Sequence, residues 1–121
     1  MRVAVCVRKL QEQEALAKWI GQYCDVYNKS CDLFATAEPE DLFQAGRSFH
    51  LAFLGLGGQE GFLLTRRLWD SDKRCRIVMI DDTAEYAIQG IRLHVSDYIV
   101  RPVDFKKVAR AMKLAITGGN L

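Results

Sequence analysis

Residues 76–108 read RIVMIDDTAEYAIQGIRLHVSDYIVRPVDFKKV, and the order of patterns within them decides the fold. Arg76-Ile77-Val78-Met79-Ile80 is a short apolar run of strand type. Asp82-Thr83-Ala84-Glu85 then offers a helix N-cap with its partner three residues on, and Ala84, Ala87, Ile88 and Ile91 fall on one face of the helix it would open. Asp97-Tyr98-Ile99-Val100 is a second strand, stopped by Arg101-Pro102. Asp104 suits the cap of a last helix that would turn Phe105, Val108, Met112 and Ile116 inward and Lys106, Arg110 and Lys113 outward.

The same alternation runs back to the start of the chain. Val3 to Val7 is continuously apolar, as a strand buried on both faces should be. Leu16, Trp19, Ile20 and Tyr23 form one helical stripe. Cys31 to Ala35 reads as a weaker strand, Pro39 to Ala45 as a short helical segment, and His50 to Leu56 as a strand broken by Gly57-Gly58. Leu64 and Leu68 mark one more helix. Five strand–helix units in alternation predict an α/β fold: a doubly wound, parallel five-stranded sheet with helices on both faces. Ligands in such sheets sit at the carboxyl ends of the strands. That directs attention to Val7–Lys9, Gly55–Gly58, Asp81–Thr83 and Arg101.

With 121 residues, half of them hydrophobic and 26% charged, the chain has the size and composition of one globular domain. A net charge of +2 does not by itself call for nucleic acid. No apolar run approaches the ~20 residues of a membrane span, and Met1–Val7 is too short for a signal peptide, so a cytoplasmic location is expected. The cysteines at 6, 24, 31 and 75 form no C-x-x-C pair and lie far from His50 and His94, which predicts reduced, partly buried thiols and no metal site.

Several of these stretches, taken together, resemble the receiver domains of two-component response regulators, of the CheY-like, flavodoxin-like (βα)5 type. The Glu85-Tyr86-Ala87 triplet, the DYIVRP of residues 97–102 and the Asp104-Phe105 helix start carry most of the similarity, in the manner of receivers that precede LytTR-type DNA-binding domains. The opening MRVAVCVRKLQEQEALAKWI and the HLAFLGL of residues 50–56 fit the same template. The resemblance implies strand order 2-1-3-4-5 and a single receiver-like domain over residues 1–121, either alone or as the N-terminal part of a longer regulator.

Active members of that family hold Mg²⁺ with two acidic residues after the first strand and with a phosphoacceptor Asp after the third. A Thr or Ser after the fourth strand and a Lys-Pro after the fifth bind the phosphoryl group. Matched position by position, this sequence offers Arg8 and Lys9, then Gly55, then Asp81, then Arg101 followed by Pro102. Glycine has no nucleophile, and two cations do not suit a hard oxygen-seeking metal. The resemblance therefore implies a degenerate site: no Mg²⁺, no cofactor and no catalysis. Asp81 near Arg101 or Lys9 would attract by ~4 kcal/mol at 4 Å and an effective dielectric of ~20, before desolvation, which suggests an ion pair in place of metal and phosphate.

The expected role is thus a phosphorylation-independent pseudo-receiver, a protein-interaction or dimerisation module in signal transduction or transcriptional regulation. Its partner face, by resemblance, would include Ala87, Ile91, Tyr98, Lys106 and Arg110, with Tyr98 and Pro102 at switch-like positions. DNA would be reached only through a further C-terminal domain. The alternative is a sensor for a small anion or nucleotide, using Arg8, Lys9, Arg101 and the Gly55–Gly61 loop. That loop misses G-x-G-x-x-G because Glu60 stands at its third glycine. The Lys106, Arg110, Lys113 stripe reads as a solvated face or as a partner surface.

Overall fold

The computed structural model describes residues 1–118. The five strands are β1 (Arg2–Cys6), β2 (Asp32–Thr36), β3 (Leu51–Leu54), β4 (Arg76–Asp81) and β5 (Asp97–Val100). They form one parallel sheet in the order β2-β1-β3-β4-β5, the flavodoxin- and CheY-like arrangement expected. Among the described residues four α-helices connect and follow them: α1 (Leu10–Val26), α2 (Gly58–Ser71), α3 (Ala87–Arg92) and α4 (Phe105–Gly118). Among the described residues, no helix is long and apolar enough to cross a membrane.

Successive residues of a strand face opposite sides of the sheet, and the core divides accordingly. Val3, Val5, Phe53, Val78, Ile80 and Ile99 face α1 and α4, where Leu16, Ile20, Val108 and Met112 close over them. Ala4, Cys6, Ala52, Leu54 and Ile77 face the other way, against Leu64 and Leu68 of α2. The inward stripe of α4 is Val108, Ala111, Met112 and Ala115, so Phe105 lies outside it and is 38% exposed rather than inward. Asp104 caps that helix as expected, its Oδ1 accepting the Lys107 amide at 2.8 Å.

Two connections differ from the periodic pattern. The segment expected to be helical after β2 is a single 3-10 turn, Pro39–Phe43. Gln44 is already extended (ψ 146), and the acidic side chains are held elsewhere: Asp41 accepts the Thr36 hydroxyl at 2.6 Å, and Glu40 pairs with Arg67. So short a segment gains too little to nucleate an α-helix. The helix expected to open at Asp82 begins instead at Ala87. Thr83 Oγ1 accepts the Glu85 amide at 3.2 Å, which commits these residues to a turn. The remaining short helix leaves Ile88 and Ile91 on the surface, 65% and 70% exposed.

The thiol expectation is corrected for two of the four cysteines. The end of α1 and the entry to β2 bring Cys24 and Cys31 together in a disulfide, with Cα atoms 6.7 Å apart. Cys6 and Cys75 are free and buried, and burial pushes their thiols up to about 11 and about 12. Native protein at pH 8 should therefore show no reaction of Cys6 or Cys75 with a thiol-exchange reagent. In guanidinium without reductant, two thiols per chain should titrate, and four after reduction. Four thiols before reduction would mean that the Cys24–Cys31 bond does not form in solution.

Candidate functional site

Strand order reverses at β1, so the crevice outside the carboxyl ends of β1 and β3 is where an open α/β sheet presents its site. There Arg8, Lys9, Glu12, Gly55, Leu56, Asp82 and Arg101 line a cleft of about 260 Å³. The geometry thus brings together Arg8, Lys9, Gly55 and Arg101, as matched from the sequence.

Arg101 organises the cleft. Its Nε and Nη2 donate to the two carboxylate oxygens of Glu12 at 2.9 and 2.8 Å, a bidentate pair. Nη2 also donates to the Gly55 carbonyl at 2.7 Å, and Nη1 to Asp82 Oδ1 at 3.2 Å. The hydrogen bonds it donates to Glu12, ahead of the charges of Glu12 and Asp82, hold the guanidinium above even its ordinary high pKa. Gly55 is what makes room. A Cβ built there would lie 2.8 Å from Val7 Cγ1, 3.0 Å from Arg101 Nη2 and 3.2 Å from Ile80 Cβ. The space over residue 55 is already taken by Arg101.

The expected pairing of Asp81 with Arg101 or Lys9 is not what the side chains do. Asp81 is buried, and its Oδ2 accepts the Gly58 amide at 3.0 Å while Oδ1 accepts the Asp82 amide at 2.7 Å. Its carboxylate thus sits on the first N–H of α2, where a helix N-terminus favours negative charge. The loop arrives there through Gly57 at φ 82, a left-handed conformation that glycine adopts freely. Only the backbone joins Asp81 to Arg101, whose amide donates to the Asp81 carbonyl at 2.8 Å. The missed carboxylates are Glu12 and Asp82. Glu12 is marked in the sequence only as an acidic residue in the first turn of α1, and Asp82 reads there as a helix cap.

The other cations of the cleft are less committed to it. Arg8 pairs with Glu60 at the surface, and Lys9 stands exposed at the start of α1. Tyr98 is half-buried, its hydroxyl donating to the Thr83 carbonyl at 2.8 Å and lying 3.4 Å from Asp81 Oδ2. Burial first, then the Asp81 charge, raises its pKa above the usual tyrosine value. The Arg101-Pro102 peptide is cis. Ala87, Ile91, Tyr98, Lys106 and Arg110 lie on α3, β5 and α4 and do not line the cleft, and Arg110 pairs with Asp97 at 2.9 Å.

The Arg101–Glu12 pair is about four-fifths buried on the Glu12 side and three-quarters on the Arg101 side. Arg101→Met should cost about 1–3 kcal/mol of stability, between the surface and fully buried limits. Urea unfolding of Arg101→Met, Glu12→Gln and the double variant should give a coupling of at least ~1 kcal/mol. Additive losses would show that the two side chains do not support one another.

No protein-family model matches the chain, and no curated protein matches it in sequence. Solved structures do match in fold. The response regulatory domain of protein mrkE from Klebsiella pneumoniae gives a TM-score of 0.82 at 18% identity, over 99% of this chain and 98% of that one. A response regulator from Thermotoga maritima gives 0.78 at 17% identity, over 96% and 97%. NtrX from Brucella abortus gives 0.81 at 16% identity, over 98% of this chain but 27% of the longer NtrX chain. At such identities the likeness is one of fold: this chain has the architecture of response-regulator receiver domains.

Proposed function

We propose that the chain is a pseudo-receiver: a cytoplasmic protein-interaction domain of signal transduction or transcriptional control that works without phosphorylation and without chemistry of its own. One observation carries the reading. Residue 55, at the phosphoacceptor position, is glycine, and the space above it holds the Arg101 guanidinium in its bidentate pair with Glu12. An internal ion pair stands where an active receiver would place metal and phosphoryl group, so the edge keeps one arrangement rather than two. A disulfide such as Cys24–Cys31 is uncommon in a reducing cytosol, so the thiol count also bears on the compartment.

The anion-sensor alternative has less support. Arg101 already faces Glu12 and Asp82, Arg8 faces Glu60, and the α2 N-terminus is capped by Asp81. For the partner face, the exposed Ile88 and Ile91 on α3, with Tyr98 of β5 and Lys106 of α4, favour a homodimer or a protein partner. A LytTR-type or other DNA-binding domain would have to be supplied by further sequence.

Incubation with Mg²⁺ and acetyl phosphate should leave the intact mass unchanged while an active receiver in the same tube gains one phosphoryl group. A stoichiometric gain by this chain would overturn the reading. Sedimentation equilibrium should show a concentration-dependent dimer that Ile91→Asp weakens at least about tenfold, the effect of burying an unpaired charge. An unaffected dimer would place the contact elsewhere.

A further inference from the structure

Cys24 and Cys31 meet where α1 ends and β2 begins, at the amino end of the sheet and opposite the Arg101 cleft. Cys24 belongs to the buried cluster beneath α1 and α4, and Cys31 packs against that cluster from its rim. Of the four cysteines Cys31 alone is not buried, so it is the one that an external thiol can approach.

The connection between the two cysteines is also held by backbone hydrogen bonds. The Lys29 amide donates to the Cys24 carbonyl at 2.7 Å, with Asn28 at φ 53 in the left-handed conformation that ends many helices. The Asp32 amide donates to the Met1 carbonyl at 2.8 Å, at the start of the β1–β2 ladder. These bonds keep residues 24 and 31 close in the dithiol form, so that the disulfide can close again. What the disulfide adds is a fixed entry to β2. That strand lies at the edge of the sheet and pairs with β1 alone. Asp32, Leu33 and Ala35 are exposed, Phe34 is half-buried, and no residue of β2 is among the buried members of either core cluster. A segment with so few buried contacts opens locally at low cost, and a covalent tie at its entry opposes that opening.

We propose that Cys24 and Cys31 are a reversible thiol–disulfide site: the closed bond holds the β2 edge, and opening by a low-molecular-weight thiol loosens it. Disulfides of reducing compartments are commonly of this transient, sensing kind. The external thiolate attacks Cys31 Sγ, the S–S bond breaks, and Cys24 leaves as a thiolate and takes up a proton. A second thiol attacks the outer sulfur of the mixed disulfide on Cys31, releasing the Cys31 thiolate, which is protonated in turn. Two thiols are thereby oxidised to their disulfide as the protein bond is reduced, and that small disulfide closes the bond by the reverse steps. Burial, with thiols pushed up to about 11 and about 12, keeps Cys6 and Cys75 out of the exchange. The proposal rests on the bond between these two residues and not on the absence of phosphorylation at the carboxyl edge.

The test is to equilibrate the native chain in glutathione mixtures of about 10 mM total, from fully reduced to fully oxidised, then quench and alkylate for mass mapping. Cys24 and Cys31 should become alkylated together as reduced glutathione rises and be protected again when the disulfide form is restored, with Cys6 and Cys75 unmodified throughout. Hydrogen exchange of residues 28–36 should quicken at least about tenfold in the reduced chain, while β3 and β4 keep their protection. Cys31→Ser should exchange as the reduced chain does even under oxidising conditions. A bond that never forms, or one that stays closed in every mixture and so is a structural staple, would overturn the proposal. So would loss of protection across the whole sheet on reduction, or equal exchange of residues 28–36 in the two states.

Discussion

The guanidinium of Arg101 lies on the Gly55 carbonyl, grips both oxygens of Glu12 and reaches Asp82, so a single side chain ties α1, the end of β3 and the β4–α3 connection together. The carboxyl edge of a parallel sheet is where loops meet and where charges are least covered. An unpaired cation there would be costly once half-buried, and Glu12 removes that cost. The absence of a side chain at residue 55 is part of the same device, since any Cβ would press on Val7 and on the guanidinium itself. Replacing the glycine without moving Arg101 is sterically closed.

Asp81 solves a separate problem. Its carboxylate is buried, yet it is not an ion-pair partner; two backbone amides, one of them opening α2, satisfy it. Beside it, the Tyr98 hydroxyl donates to the Thr83 carbonyl at 2.8 Å. The acidic groups of the edge are thus divided, Glu12 and Asp82 to the guanidinium and Asp81 to the α2 backbone.

The sheet's two faces are covered unequally. α1 and α4 close one face with Leu16, Ile20, Val108 and Met112. The opposite face has α2, a single 3-10 turn and the short α3, whose Gly90 lies against Met79 of β4. Isolated open edges invite association. At the other edge, Lys107 Nζ donates to the Val100 carbonyl at 3.0 Å and Arg110 holds Asp97, which covers β5 with cations from α4. The two edges are therefore chemically distinct.

Strands and long helices were legible because their signal is local: Val3–Val7 and Arg76–Ile80 are apolar throughout, and Leu16, Ile20 and Tyr23 repeat at helical spacing. Parallel topology followed from alternation, and the meeting of Arg8, Gly55 and Arg101 at the carboxyl edge from their places just after strands. The short elements were less legible, since Thr83 and Asp82 carry side chains that serve a turn or an ion pair as well as a cap. By itself the sequence determined the architecture and that residue 55 has no nucleophile. Only the tertiary structure decided that Glu12 rather than Asp81 takes Arg101, that Cys24 meets Cys31, and that Arg2 and Arg47 line one hollow beside β2. Those contacts join residues from different elements, and their distances are set by how the helices and loops pack on the sheet, which no local pattern encodes.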